Sequence, residues 1–333
     1  YERGILPEPT NYEVIEKTFR PFANARREPI KDGGVAFVYD KIPRECSGYA
    51  AVMADVFDEP VYFTSWYVDD EAPDVRIRDA VLEVRSPDGE WTPMRAVFRY
   101  VTQKPWTRLL MHCKTRIFNP VVACLAGGRN KLVASKAYDI FNTELSQSHL
   151  EIRTPETIWD VARTEIPLWV QKMGGQAVIK VPYSNAGQGV YTIVNERELD
   201  EFMELDFDYD KFIVQSLIGN YNWSSVTSQG KYYHVGTIPS LKGHTYVFDI
   251  RMMIQSTEAG MRPLCVYSRR GAKPLADEIT EGGKSWDMLG TNLSIKNPDG
   301  SWGSDTARLM LTDRRDFNKL GLGLDDLIEA YIQ

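Results

Sequence analysis

The sequence predicts a mixed α+β / α/β protein made of more than one subdomain, and three observations carry that prediction. The chain has 333 residues, more than one compact core normally serves, since single cores stop growing at about 250–300 residues. Two short β-rich runs, "GGVAFVYD" (33–40) and "EPVYFTSWYV" (59–68), flank a stretch with helical spacing, "SGYAAVMADVF". A strand–helix–strand order of that kind calls for a parallel pair. Further along, "KYYHVGTIP" and "TYVFDIRMMIQST" alternate as strands do, and "MRPLCVYSRRG" is another strand.

The remaining elements follow in order. Residues 1–30 are polar and charged, an irregular or partly helical lead-in. "DAVLEVRSPDGEWTPMRAVFRYV" contains a hairpin turning at "SPDG", where Pro, Asp and Gly supply the turn geometry. "KLVASKAYDIFNTEL" is an amphipathic helix. "TPETIWDVARTEI" carries a helix-start signature, with Thr154 as N-cap, Pro155 in the first position and Thr157 nearby. "ERELDEFMEL" is a short helix, "DKFIVQSLI" and "KYYHVGTIP" are strands, and the last thirty residues are mainly helical. No internal repeat is visible.

Composition narrows the function classes. The net charge of −7 argues against a broad nucleic-acid surface, which is normally basic, but allows a local cationic pocket. No apolar run is long enough to span a bilayer. The four cysteines, Cys46, Cys113, Cys124 and Cys265, are scattered, which disfavours a disulfide scaffold or a zinc site. Buried free thiols in a reducing, cytoplasmic compartment are the expectation.

The most informative stretch is "VIKVPYSNAGQGVYTI" (178–193). An apolar strand runs into Lys180, then a small-residue loop with two glycines, then another strand. Glycines let backbone N–H groups approach phosphate oxygens, and Lys180 supplies a point charge. The lysine precedes the glycines and no Gly-Lys-Ser/Thr helix follows, so this is not a Walker loop. A solvated glycine-rich hairpin is the competing reading.

Its neighbours, in order over residues 119–296, resemble the ATP-grasp superfamily. "VIKVPYSNAGQGV" is similar to that superfamily's second lysine and its glycine-rich loop. "NKLVASKAYDIF" resembles the earlier lysine on a helix, with Lys136 the best match and Lys131 the second. "TPET" resembles the entry to the lid, "KFIVQSLIG" the hinge strand, "YVFDIRMMI" the Asp-x-Arg strand, and "GTNLSIK" the Asn-Leu-Ser segment of the ribosomal-protein-glutamate-ligase branch.

The resemblance implies an ATP-grasp fold: a pre-grasp substrate domain over 1–115, a linker and first part of the grasp over 116–152, a lid over 153–217 and a larger ATP-binding part over 218–333. It implies an ATP-dependent ligase that phosphorylates a carboxylate and joins the acyl phosphate to an amine, using ATP and Mg2+. Catalytic roles fall to Arg251, Lys180 and Asn292. ATP contacts fall to Lys136, Lys180, Ser184, Asn185, Ala186, Gly187, Gln188, Gly189 and, at the hinge, Gln215, Ser216 and Leu217.

Other readings stand beside these. Arg251 could form a cross-strand ion pair with Asp249, and Asn292 could cap a turn. His244 is a weaker substrate-side candidate. The family's metal-binding Glu-x-Asn is not found after Asn292. The resemblance therefore implies metal ligands beyond Gln333, with Asp305, Asp316 and Asn318 as in-chain substitutes. Implied partners are small-molecule or peptide carboxylates and amines, with no nucleic acid or membrane, and a homodimer stays open. The alternatives are a non-catalytic nucleotide-binding regulatory protein on the same fold and a phosphotransferase acting on a non-carboxylate oxygen.

Overall fold

A computed structural model describes residues 28–40, 43–67, 70–100, 113–120, 130–145, 147–148, 152, 154–184, 187–218, 224–227, 230–233, 237–239, 242, 244–276, 279, 282–296, 302–310 and 323–332. The chain divides into two compact units, Tyr1–Gly128 and Arg129–Gln333. The division falls inside the segment 116–152, expected to hold a linker and the first part of the grasp.

The first unit holds β1 (Gly34–Tyr39), α1 (Pro43–Phe57), β2 (Val61–Ser65), β3 (Val75–Arg78), β4 (Val81–Arg85), β5 (Trp91–Arg99) and β6 (Arg116–Phe118). The order across the sheet is β2-β1-β5-β4-β3, with β6 also on β5. β1 pairs in parallel with both β2 and β5, as the strand–helix–strand pattern requires. Its four central residues are all buried because both faces are covered. Phe37 packs against Cys46 and Ala50 of α1, and Ala36 and Val38 pack with Leu82, Met94 and Val97 on the other side. The hairpin expected at "SPDG" joins β4 to β5, closed by the Ser86 N–H donating to the Glu90 carbonyl at 2.8 Å.

The second unit opens with α2 (Lys131–Leu145). A four-stranded sheet follows, made of β7 (Thr157–Ala162), β8 (Ala177–Lys180), β9 (Val190–Ile193) and β10 (Lys211–Ser216) in the order β7-β10-β8-β9. Between these lie α3 (Ile166–Lys172) and α4 (Glu196–Glu204). The helix expected to start at Thr154 is corrected: residues 157–162 form β7, and the helix begins at Ile166 after a 3-10 turn. Proline at the first helical turn is right for α3, whose proline is Pro167. At Pro155 the chain instead turns through a bond from the Thr157 hydroxyl to the Pro155 carbonyl at 2.8 Å. The "TIWDV" run then pairs with β10 and buries Val161. Ladder formation with a long-range partner outweighs the local capping signal.

The unit continues with β11 (Ser224–Thr227), β12 (Gly230–Tyr233), β13 (Thr237–Pro239), β14 (Thr245–Thr257) and β15 (Gly260–Arg270). After these come α5 (Ser285–Leu289), β16 (Ser294–Lys296), β17 (Trp302–Ser304), β18 (Leu309–Met310) and α6 (Leu324–Ile332). The second large sheet has the order β13-β14-β15-β18. The helix expected near the C-terminus is α6, but residues 302–310 are strands and a 3-10 turn rather than α-helix. Among the described cysteines, Cys46 is buried and Cys265 is exposed, so the expectation of buried thiols holds for the first and fails for the second. Among the described residues, no helix is long and apolar enough to cross a membrane.

Candidate functional site

The four-stranded sheet has two unlike faces. Ala177, Ile179, Phe212 and Val214 point into a core with Val161, Ile166, Val170 and Phe202. Strand side chains alternate, so Val178, Lys180, Ile213 and Gln215 face the other way. A line of hydrogen bonds crosses that second face. The Lys180 ammonium donates to Gln215 Oε1, and Gln215 Nε2 donates to Thr157 Oγ1 at 2.8 Å. Burial lowers the pKa of Lys180 from its ordinary value.

α2 reaches this region from its own N-terminus. Asn130 caps the helix, its side-chain oxygen accepting from the N–H groups of Leu132 and Val133. An isolated bridge joins Asn130 to Tyr183, and the Lys131 N–H donates to the Pro182 carbonyl at 2.9 Å. The cap therefore fixes Lys131 beside the loop that follows β8. Its ammonium donates to the Ser184 carbonyl at 2.8 Å, to the Val181 carbonyl at 3.3 Å and to the Ser184 hydroxyl. Burial, and then the neighbouring charge of Lys180, push the Lys131 pKa down to about 8.

Lys136 lies further along α2, its ammonium 5.7 Å from the Trp159 ring centroid and 4.0 Å from Asp160. The structure thus sets Lys131, the second choice, beside Lys180 rather than Lys136. Helical spacing alone could not separate the two lysines, whereas the Asn130 cap was readable and marks which one stands at the loop.

The glycine loop is shaped for close approach. Gly187 has φ +79° and Gly189 φ +60°, both in the left-handed region that favours glycine. A Cβ on Gly189 would lie 2.8 Å from Ser184 Oγ. A Cβ on Gly187 would lie 2.8 Å from Asn292 Cγ and 3.0 Å from the Trp286 ring. Asn292 thus sits against the loop, and its side-chain amide donates to the Ser294 carbonyl at 2.9 Å. Gln188 is half-buried within the loop. Asn185 and Ala186 lie outside the described residues.

The segment carrying Asn292 is anchored at both ends. At its start, Ser285 and Thr192 of β9 share a hydroxyl–hydroxyl bond of 2.5 Å, and the Ser285 N–H donates to the buried Glu198 carboxylate at 2.7 Å. At its end, the Thr291 hydroxyl donates to Asp249 at 2.9 Å. Asp249 also accepts two bonds from Arg269, one of them at 3.1 Å. The ion pair suspected between Arg251 and Asp249 is therefore made by Arg269. Arg251 faces solvent beside Tyr267, whose hydroxyl lies 3.4 Å from one guanidinium nitrogen. Register pairs Arg251 with Tyr267 and Asp249 with Arg269, which puts all four on one face.

The hinge expectation changes in one respect. The Ser216 N–H donates to the Glu156 carbonyl at 2.8 Å, so it is engaged within the sheet. Gln215 is committed through its side chain to Lys180 and Thr157. Leu217 is the first residue past the strand. Asp305 caps a 3-10 turn, accepting from the Ala307 N–H at 3.2 Å. Asp316 and Asn318 lie outside the described residues, and among the described residues no three His, Cys, Asp or Glu side chains gather as metal ligands do. His244 is exposed at the foot of β14. Sequence reasoning did not single out Trp286, Ser285 or Thr291. Their roles depend on contacts far along the chain, and no local pattern signals them.

No protein-family model matches the sequence, and no curated protein matches it. Solved structures of ATP-grasp proteins are similar to this chain along most of its length. The RimK-domain ATP-grasp protein of Sphaerobacter thermophilus is 13% identical over 90% of this chain and 98% of its own, with a TM-score of 0.43. D-alanyl-alanine synthetase A of Vibrio cholerae is 12% identical over 84% and 88%, with a TM-score of 0.44. N5-carboxyaminoimidazole synthetase of Staphylococcus aureus complexed with ADP is 9% identical over 87% and 73%, with a TM-score of 0.42.

Proposed function

We propose that this protein is an ATP-dependent ligase, which phosphorylates a carboxylate and transfers the resulting acyl group to an amine with release of ADP and phosphate. One arrangement carries the phosphate site: two half-buried ammonium groups, Lys131 at the capped start of α2 and Lys180 at the end of β8, flank the glycine loop, Lys131 bonded to Ser184 and Lys180 to Gln215. Holding like charges together under partial burial is unfavourable. A polyanion laid between them offsets that cost, and the glycine loop beside them admits one without side-chain obstruction.

The residues fit ATP. Lys131 and Lys180 would hold phosphate oxygens, with Ser184, Gly187, Gln188 and Gly189 contributing loop groups. A carboxylate oxygen attacks the γ-phosphorus, and ADP leaves. The amine then attacks the acyl carbon, loses a proton and displaces phosphate. Arg251, planar and exposed on β14, suits the acyl-phosphate oxygens through paired donors. Asn292, against the loop, would hold the transferring group in register. Mg2+ would supply charge neutralisation as the counter-ion of ATP, and no ligand is assigned to it among the described residues. The proposal keeps a small-molecule or peptide acid and amine as substrates.

The test is an ADP-release screen over carboxylic acids, each with and without amines. ADP release that needs both an acid and an amine, and is lost in Lys180→Ala, supports the ligase. ADP release without an amine would point to a phosphotransferase. Nucleotide binding without turnover across the screen would point to the regulatory protein.

A further inference from the structure

Asp249, Arg269 and Thr291 form a cluster to which the proposed chemistry gives no task. Asp249 lies on β14, Arg269 directly across on β15, and Thr291 comes from the connection after α5. The guanidinium grips both carboxylate oxygens, and the Thr291 hydroxyl donates to Oδ2 at 2.9 Å while lying 3.5 Å from the same arginine. Arg269 is 12% exposed and Asp249 34%, so the guanidinium is shielded while one side of the carboxylate meets solvent. The carboxylate thus has three donors and is held in one orientation.

The next residue after Thr291 is Asn292, whose side chain touches Gly187 in the loop beside Lys180. A second hold acts one residue earlier, where the buried Arg308 guanidinium donates to the Gly290 carbonyl. The indole of Trp286 lies against both Gly187 and Gly290. A Cβ at Gly187 would come within 3.0 Å of that ring, so the Trp286 segment and the loop are in close contact.

We infer that Asp249 and Thr291 are positioning residues: the Asp249–Arg269 pair fixes the Thr291 hydroxyl, and through it the seat of Asn292 against the phosphate loop. This rests on the reading of Lys131 and Lys180 as a phosphate site. The threonine hydroxyl is the element that matters, because it links the residue directly before Asn292 to the large sheet through a charge-assisted bond.

Calorimetric binding of Mg2+-ATP to the full chain tests it. Removing a hydrogen bond to a charged group typically corresponds to about a tenfold change, so Thr291→Val and Asp249→Ala should each weaken binding by about that factor. Thr291→Ser keeps the hydroxyl and should stay within about twofold of the parent. The double variant Asp249→Ala/Thr291→Val should be no weaker than either single change, since both break one link. Equal weakening by Thr291→Ser and Thr291→Val, an additive double variant, or parental affinity in Thr291→Val would overturn the inference alone. A parent protein that does not bind Mg2+-ATP, or a Lys180→Ala variant that binds it unchanged, overturns the phosphate site and this inference with it. If Thr291→Val fails to fold, Thr291→Ala makes the same deletion without a methyl group against the carboxylate.

Discussion

The two four-stranded sheets of the second unit carry their charged residues in opposite ways. The sheet of β7 to β10 buries one face, with Ala177, Ile179, Phe212 and Val214 at 0% exposure, and presents Lys180 and Gln215 on the other. Among the described residues, the outer half of the long β14–β15 hairpin is met by the Tyr331 hydroxyl of α6, which donates to the Met261 carbonyl. Met253, Ile254, Met261 and Leu264 are all exposed there, and β13 and β18 pair only at its foot. A register shift at Met253/Ile254 and Pro263 within β15 mark the same half as irregular. The difference teaches where precise cations can be held. A packed face fixes the backbone, so Lys180 can be partly buried and oriented by Gln215, whereas Arg251 stands exposed on a strand with its neighbour Asp249 already engaged.

The comparison breaks most visibly in the core. Phe202→Ala, a fully buried ring among Tyr191, Phe207 and Phe212, should cost about 3–5 kcal/mol. Met261→Ala on the hairpin should change stability by less than about 0.5 kcal/mol, and chemical denaturation measures both. Next in size, Lys180→Ala should weaken ATP binding about a hundredfold or more, with the circular dichroism spectrum retained. Parental binding in that variant would move the phosphate site elsewhere. Lys131→Ala should lose about tenfold in ATP affinity while Lys136→Ala stays within about twofold, and the reverse ranking would restore Lys136 as the partner.

A smaller effect sharpens the electrostatic side. With the Lys131 pKa lowered to about 8 from its ordinary 10.5, the unfolded chain holds more protons than the folded one between those values. The stability of the ligand-free protein therefore rises with pH across that window. Inorganic triphosphate favours the charged lysine, so its affinity should fall as pH climbs past about 8, by up to about tenfold per pH unit. Calorimetry at pH 7 and pH 9, in buffers of different ionisation enthalpy, would show both the weaker binding and the proton taken up. Equal affinity at the two pH values would mean that Lys131 does not meet the anion.

Much of the fold was legible wherever one element carried its own period. The strand in "GGVAFVYD", the turn at "SPDG" and the helix over residues 131–145 needed no distant partner to be read. The β7 segment misled because Thr154 and Pro155 imitate a helix start, while its strand character comes from pairing with β10, more than fifty residues later. The site was legible in the same proportion. Lys180 and the glycine loop stand in one local pattern, but which lysine joins them depended on the Asn130 cap and the bridge to Tyr183.

By itself the sequence determined the residue types of the glycine loop, the strands on either side of it and the lysine that ends the first. Those follow from periodicity and backbone freedom, which act over a few residues. Only the tertiary structure decided that Lys131 faces Lys180, that Arg269 rather than Arg251 grips Asp249, and that Asn292 and Trp286 close on Gly187. Charge pairing and packing act through space, and residues far apart in the chain meet only after the sheets have formed.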